Sequence, residues 1–270
     1  MARAQLREVT SPANALLKVF RSALGEGTTR QGWLAVEGPF LVEEALNAAP
    51  AVKTHSVLVA ASSAEKFSSL LDRLPSEAES TQVPDRLFER VAQTQAPQGI
   101  AALVEVPAYT LEQALAVRNP LLVVACQIQD PGNLGTMMRS ALAFSAAAFL
   151  TLKATVSPFN PKAVRSSAGA IFRLPLVCGL DPSDSLTFLG SRVRIVAADR
   201  HSPASLSRAD LTGPLAVLIG REASGLPEEI ARHATQWLSI PIREEVDSVN
   251  AATAASIFLY EAARQRGFRY

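Results

Sequence analysis

The sequence predicts an α/β protein made of two successive strand–helix units. Short apolar runs bounded by turn residues alternate with helix-like segments along the chain, the pattern of α/β organisation. The run Leu121–Ala125 is apolar without interruption, as strands are when a parallel sheet buries both of their faces. From Pro107 to about Asn119 the pattern lapses into a connector with a short helical piece. The expected divisions are therefore 1–107, a linker at 108–118, and 119–270.

In the first unit Trp33–Glu37 reads as a strand and Phe40 to Asn47 as the helix after it. Ser56–Ala60 is a second strand, Glu65 to Leu74 a helix, and Ile100–Val104 a third strand. The second unit opens with Leu121–Ala125 and continues with strands at Ala147–Leu152, Arg194–Ala198 and Leu215–Ile219. A final helix is expected from about Asn250 to Gln265, with Ala251, Ala252, Ala254 and Ala255 giving it small-residue positions.

Composition excludes several classes. Of the 270 residues 48% are hydrophobic and 19% charged, enough apolar material for a core and too much for a disordered chain. Only Cys126 and Cys178 are present, without a CxxC, which excludes a disulfide scaffold and a cysteine zinc site and suits a cytosolic redox setting. His55, His201 and His233 stand at no metal-ligand spacing. No secretory apolar segment opens the chain, and the uncharged stretch Ser140–Leu152 is far short of the ~20 residues of a membrane helix. The net charge of +1 argues against coating nucleic acid by bulk charge. Its distribution is more informative: residues 1–107 carry −2, residues 108–270 carry +3, and residues 131–180 hold five bases and no acid.

Three segments place turn-forming glycines and polar side chains beside expected strand ends. Asp130–Arg139 follows the strand at Leu121–Ala125; Gly132 and Gly135 allow tight turns, and Asn133 is a candidate cap that leaves Arg139 about two turns into a helix. Leu218–Pro227 begins where a strand ends, and Gly220 opens a loop at the carboxyl edge, where ligands of open α/β sheets bind. It is neither GxGxxG nor GxxxxGK(S/T), so nicotinamide-dinucleotide and P-loop readings fail. In it Glu222 can pair with an arginine or stay solvated. Leu238–Ile242 ends at Pro241, and Ser248 and Asn250 beyond it are candidate caps for the last helix. Each segment alone is equally well an ordinary loop and cap.

Together, in this order, they resemble the three motifs of the SpoU (TrmH-like) branch of the SPOUT RNA methyltransferases. The matches are Asn133-x-Gly135-x-x-x-Arg139, then Gly220-x-Glu222-x-x-Gly225-Leu226, then Ile240-Pro241 followed by Ser248-Val249-Asn250-Ala251-Ala252. The stretch Asn160–Pro175 is similar to the family's segment between its first two motifs. Val36-Glu37-Gly38 with Phe40 and Val42, and Ala96–Ile100, resemble the small substrate-binding domain of the same enzymes.

The resemblance implies a small ribosomal-protein-like α/β RNA-binding domain followed by a SPOUT domain with a parallel sheet and a deep trefoil knot. Pattern rules alone would never yield the knot, since knots are almost absent from proteins. It implies S-adenosylmethionine as cofactor, held by backbone around Gly220, Ile240 and Val249 with Leu218 and Leu226 as apolar neighbours. The reaction implied is methylation of a ribose 2′-hydroxyl. In it Arg139 binds a phosphate or the developing alkoxide, Asn133 orients the nucleotide or the arginine, Glu222 fixes the guanidinium, and Ser248 and Asn250 shape the pocket. Arg30, Lys162 and Arg165 are the expected RNA contacts, supported by Lys18 and Arg21. The expected partners are ribosomal RNA and a second copy of the chain, in the cytoplasm, with no membrane and no metal. The alternatives are a transfer-RNA 2′-O-methyltransferase and, from another class, a non-catalytic RNA-binding protein on the same fold.

Overall fold

The computed structural model describes residues 6–221 and 225–268. Two compact units emerge. One comprises the chain up to Pro107 together with Phe159–Arg165; the other comprises Ala108–Pro158 and the chain from Ser166 onward.

The first unit contains β1 (Arg7–Glu8), α1 (Ala15–Glu26), β2 (Leu34–Glu37), α2 (Pro39–Asn47), β3 (Lys53–Ala60), α3 (Ser68–Leu71), β4 (Glu79–Val83), α4 (Asp85–Val91) and β5 (Ile100–Glu105). Its sheet is mixed, in the order β1-β4-β3-β5-β2, with β5 antiparallel to both of its neighbours. The α1 helix begins at Asn14, whose side chain accepts from the Leu16 N–H, and it buries Leu17, Phe20, Ala23 and Leu24. These pack with Leu87, Phe88 and Val91 of α4 over Leu58, Ala101 and Leu103 of the sheet. The two sequence motifs of this unit meet: the Glu37 carboxylate accepts from the Gln93 N–H at 2.8 Å and from the Thr94 hydroxyl, and the Gly38 N–H donates to the Ile100 carbonyl at 2.9 Å. The helix expected over Glu65 to Leu74 is reduced to α3. Around it the backbone closes three-residue turns, such as Ser68 N–H to the Glu65 carbonyl, rather than a continuing α-helix.

Gly27 explains why a distant segment joins this unit. It ends α1 at φ +100°, and a Cβ there would sit 2.0 Å from the Phe159 carbonyl oxygen. Only glycine lets the two backbones come so close. The expected boundaries thus differ from the structure in two respects: Phe159–Arg165, with exposed Lys162 and Arg165, groups with the first unit, and residues 108–118 belong to the second.

The second unit contains α5 (Leu111–Leu115), β6 (Leu121–Ala125), α6 (Pro131–Ala143), β7 (Ala148–Leu152), the last residue of α7 (Pro161–Ser166), β8 (Leu176–Leu180), α8 (Pro182–Gly190), β9 (Arg194–Ala198), β10 (Leu215–Ile219), α9 (Glu228–Ala231), β11 (Gln236–Leu238) and α10 (Ala251–Gln265). All its strand pairs are parallel, in the order β11-β9-β10-β6-β7-β8. The central strands β6 and β10 are buried along their full length, which is why they read as unbroken apolar runs. A capping box between Thr110 and Gln113 starts α5, giving the expected linker its own structure. No described helix is long and apolar enough to cross a membrane.

The last helix is anchored at both ends. Near its start the Ser256 hydroxyl donates to the Ala252 carbonyl, so the Ser140 hydroxyl of α6 donates to Ser256, at 2.7 Å. At its far end Arg266 donates to the carbonyls of Leu211 (3.0 Å), Asn119 (2.9 Å) and Gly213 (2.5 Å). Burial, with a smaller push from the charge of Arg194, holds that guanidinium below its usual pKa.

Candidate active site

Because the second sheet is wholly parallel, the carboxyl ends of β9, β10 and β11 lie on one edge, and the chain departs from each into a loop. Those loops and the start of α10 enclose a cavity of about 570 Å³. From β9 come Ala198, Asp199, Arg200 and His201; from β10, Ile219, Gly220 and Arg221; from β11 and the loop beyond it, Leu238, Ile240, Ile242, Asp247, Ser248 and Val249. The helix adds Ala251, Ala254 and Phe258.

Gly220 sits at a tight point of this wall. Arg221 and Gly225 exchange backbone hydrogen bonds at 3.1 and 3.0 Å, folding the Gly225 carbonyl back over Gly220. A Cβ on Gly220 would come within 2.6 Å of that oxygen and 2.9 Å of the Leu226 side chain. The position admits only glycine, and its backbone is exposed to whatever fills the cavity.

Beside the cavity, α6 and α10 are tied at their first turns. Asp130, not Asn133, caps α6: its carboxylate accepts from the Gly132 and Asn133 N–H groups at 2.5 and 3.1 Å, with Pro131 at the first helical position. The expectation of an Asn133 cap is corrected by this Asp-Pro start. The Asn133 side chain is thereby released from the cap, and its carbonyl accepts from the Asn250 amide at 2.9 Å. Asn250 in turn caps α10, accepting from Ala252 and Thr253 at 2.9 and 3.2 Å. One side chain thus fixes the helix start and the link between two motifs.

The structure sorts the sequence-predicted residues clearly. Gly220, Ile240, Val249 and Ser248 line the cavity, and Asn250 and Asn133 stand beside it. Leu218 does not line it: it is fully buried within β10, on the core side of the sheet. Leu226 packs on that core and reaches the site only through its approach to Gly220. Arg139 is exposed on α6, outside the cavity wall. Glu222 lies outside the described residues. Arg30, Lys162 and Arg165 are exposed on the first unit. Sequence reasoning missed Asp199, Arg200, His201, Asp247 and Phe258. The first three directly follow a strand that the sequence did reveal, and that position was the available signal. No metal-binding cluster of His, Cys, Asp and Glu occurs among the described residues.

Comparison with known proteins adds the following. Residues 120–260 match the model of the SpoU rRNA Methylase family, and residues 28–102 match the MRM3-like substrate binding domain. The chain is 34% identical over 189 residues to 23S rRNA (uridine(2479)-2′-O)-methyltransferase of Streptomyces viridochromogenes, a match spanning 68% of this chain and 66% of that one. It is 29% identical to 23S rRNA (guanosine(2553)-2′-O)-methyltransferase RlmP of Bacillus subtilis, across 94% of this chain and 98% of that one. Among solved structures it is similar to the SpoU methyltransferase AviRb from Streptomyces viridochromogenes in complex with AdoMet. That likeness has a TM-score of 0.84 and 29% identity, covering 94% of this chain and 98% of the other.

Proposed function

Because this chain belongs to the SpoU rRNA methylase family, we propose that it transfers a methyl group from S-adenosylmethionine to a ribose 2′-hydroxyl of ribosomal RNA. The observation that carries this reading is the meeting of three motifs: Gly220 and Ser248–Val249 in one cavity wall, and Asn133 bonded to Asn250 beside it. Ribosomal rather than transfer RNA is favoured by the names of the two relatives.

The cavity fits the cofactor. Its volume lies within the ~300–1,000 Å³ of small-molecule sites. Ile219, Leu238, Ile240 and Phe258 offer an apolar surface suited to an adenine ring, and the backbone at Gly220 lies open to it. When bound, the cofactor supplies a methyl group activated by a sulfonium. What remains for the protein is orientation and electrostatics, since an in-line displacement gains much of its rate from positioning.

Arg139 is the residue assigned to the reacting oxygen. A guanidinium keeps its proton in proteins and is a poor base; it stabilises the alkoxide that develops as the 2′-hydroxyl gives up its proton to water, or grips the neighbouring phosphate. Its exposure on α6 leaves it accessible to RNA. Asn133, held by Asn250, orients the nucleotide; Ser248 shapes the pocket; Glu222 is assigned to fixing the guanidinium. The first unit presents Arg30, Lys162 and Arg165 to the RNA.

The exposed outer side of α10 supports a homodimer through this helix: Tyr260 keeps 48% of its surface, with Phe144 edge-on at 5.8 Å and Phe268 at 5.7 Å. The family's trefoil knot is proposed for residues 119–270, and the cytoplasm is the proposed location. The deciding experiment maps 2′-O-methyl groups in RNA from a deletion strain and its parent. One ribosomal site should be lost and be restored by the wild-type gene but not by Arg139→Ala. An unchanged methylation map would refute the reading.

A further inference from the structure

The cavity wall carries an ion pair that the mechanism above leaves unused. Arg200, two residues past the end of β9, meets Asp247, in the loop before α10, with Nη1 and Oδ1 3.1 Å apart. Both residues line the cavity. The Asp247 side chain keeps 99% of its exposure and that of Arg200 38%, so the pair is hydrated and opens at little cost. The contact engages one N–H group of a guanidinium that has five, arranged as a fork suited to a carboxylate. The other charged or titratable groups in the described wall are Asp199, His201 and Arg221. Asp199 is already engaged by the backbone N–H of His201 at 3.1 Å, and the Arg200–Asp247 contact is the ion pair found among the described wall residues.

We infer that Arg200 and Asp247 receive the amino-acid end of the cofactor, the guanidinium taking its α-carboxylate and the aspartate its α-ammonium. The inference rests on the S-adenosylmethionine reading of the cavity. A zwitterion is the group an ion pair accommodates best: each charge exchanges one opposite partner for another, and neither wall residue is left unpaired. An apolar cavity end suits the nucleoside, whereas the two charged ends of a free amino acid need partners of opposite charge or hydrogen-bonding groups, which this pair supplies at once.

The test compares two nucleosides by calorimetric titration of the full chain. S-adenosylhomocysteine carries the amino-acid tail, whereas 5′-methylthioadenosine keeps the adenosine and thioether without it. The wild type should bind the tailed nucleoside at least about tenfold more tightly. Arg200→Met should weaken that ligand about tenfold, equivalent to about 1.4 kcal/mol, and leave 5′-methylthioadenosine within twofold. Asp247→Asn should weaken the tailed ligand about threefold. The tail-less ligand doubles as the folding control. Equal loss for both nucleosides in Arg200→Met, or no loss for either, overturns the inference. So does a wild type that binds both equally. A wild type that binds neither overturns the cofactor reading and the inference with it.

Discussion

The two units differ in where their strands point, and that difference decides what each can do. In the first unit β5 runs against β3 and β2, so loops leave its sheet at both edges. In the second all six strands run one way, and the loops after β9, β10 and β11 converge on a single cavity. One unit offers surface, the other a concave site. Charge follows the same division once the structural boundary replaces the sequence boundary. Moving Lys162 and Arg165 to the first unit brings it from −2 to zero and leaves the second at +1. With neither unit strongly basic, the RNA attraction proposed for this chain would have to come from placed side chains such as Arg30, Lys162 and Arg165 rather than from overall charge.

The largest effect expected is on chemistry alone. Arg139→Ala should lower the single-turnover methylation rate by about 10²–10³ while cofactor affinity stays unchanged, because the residue lies outside the cavity wall. Near-normal turnover with bound RNA would remove Arg139 from the mechanism. Next comes Gly27→Ala, which forces a Cβ toward the Phe159 carbonyl at a positive φ and should destabilise the first unit by about 1–3 kcal/mol or more. Thermal unfolding followed beside cofactor titration would show whether the units are separable. Cofactor affinity falling in step with stability would break the comparison drawn above.

Asn250 offers a sharper division within the second unit. Serine caps helices as well as asparagine, so Asn250→Ser should keep stability close to wild type, whereas Asn250→Ala should cost about 1 kcal/mol. Both variants lose the amide that holds Asn133, and both should slow methylation similarly. If only the alanine variant is slow, the link to Asn133 is structural and not functional. The smallest effect concerns salt. RNA affinity should fall with a slope corresponding to fewer than about six released counterions, and Lys162→Ala should reduce that slope by about one. A steeper slope would mean a basic surface larger than the placed residues provide.

Much of this was legible in the sequence, for reasons that individual elements make clear. Leu215–Ile219 and Leu121–Ala125 have the same limits in sequence and structure because strands buried on both faces leave an unbroken apolar run, and Arg194–Ala198 has them too, with half-buried Arg194 and Ala198 at its ends. β4 was not legible: Glu79, Ser80, Thr81 and Gln82 carry no apolar signal, although Thr81 is fully buried between β1 and β3 in the sheet. The Asp130 cap and its Pro131 were within reach of sequence rules, since Asp-Pro is a strong helix start, but the motif's asparagine drew the assignment instead. The motifs could be read because each binds backbone and side chain at one short stretch. The grouping of Phe159–Arg165 with α1 could not, since it depends on a contact between residues far apart in the chain.

The two clasps between α6 and α10, at Asn133–Asn250 and Ser140–Ser256, join residues 117 and 116 positions apart. Contacts of that separation carry a loop-closure cost and raise the contact order of the fold. The cavity therefore depends on contacts that no local stretch of the chain can supply. A molecule in which α10 is not docked would have neither the helix that completes the wall nor the amide that sets Asn133. The site is thus tied to completion of the second unit's fold rather than to any single motif.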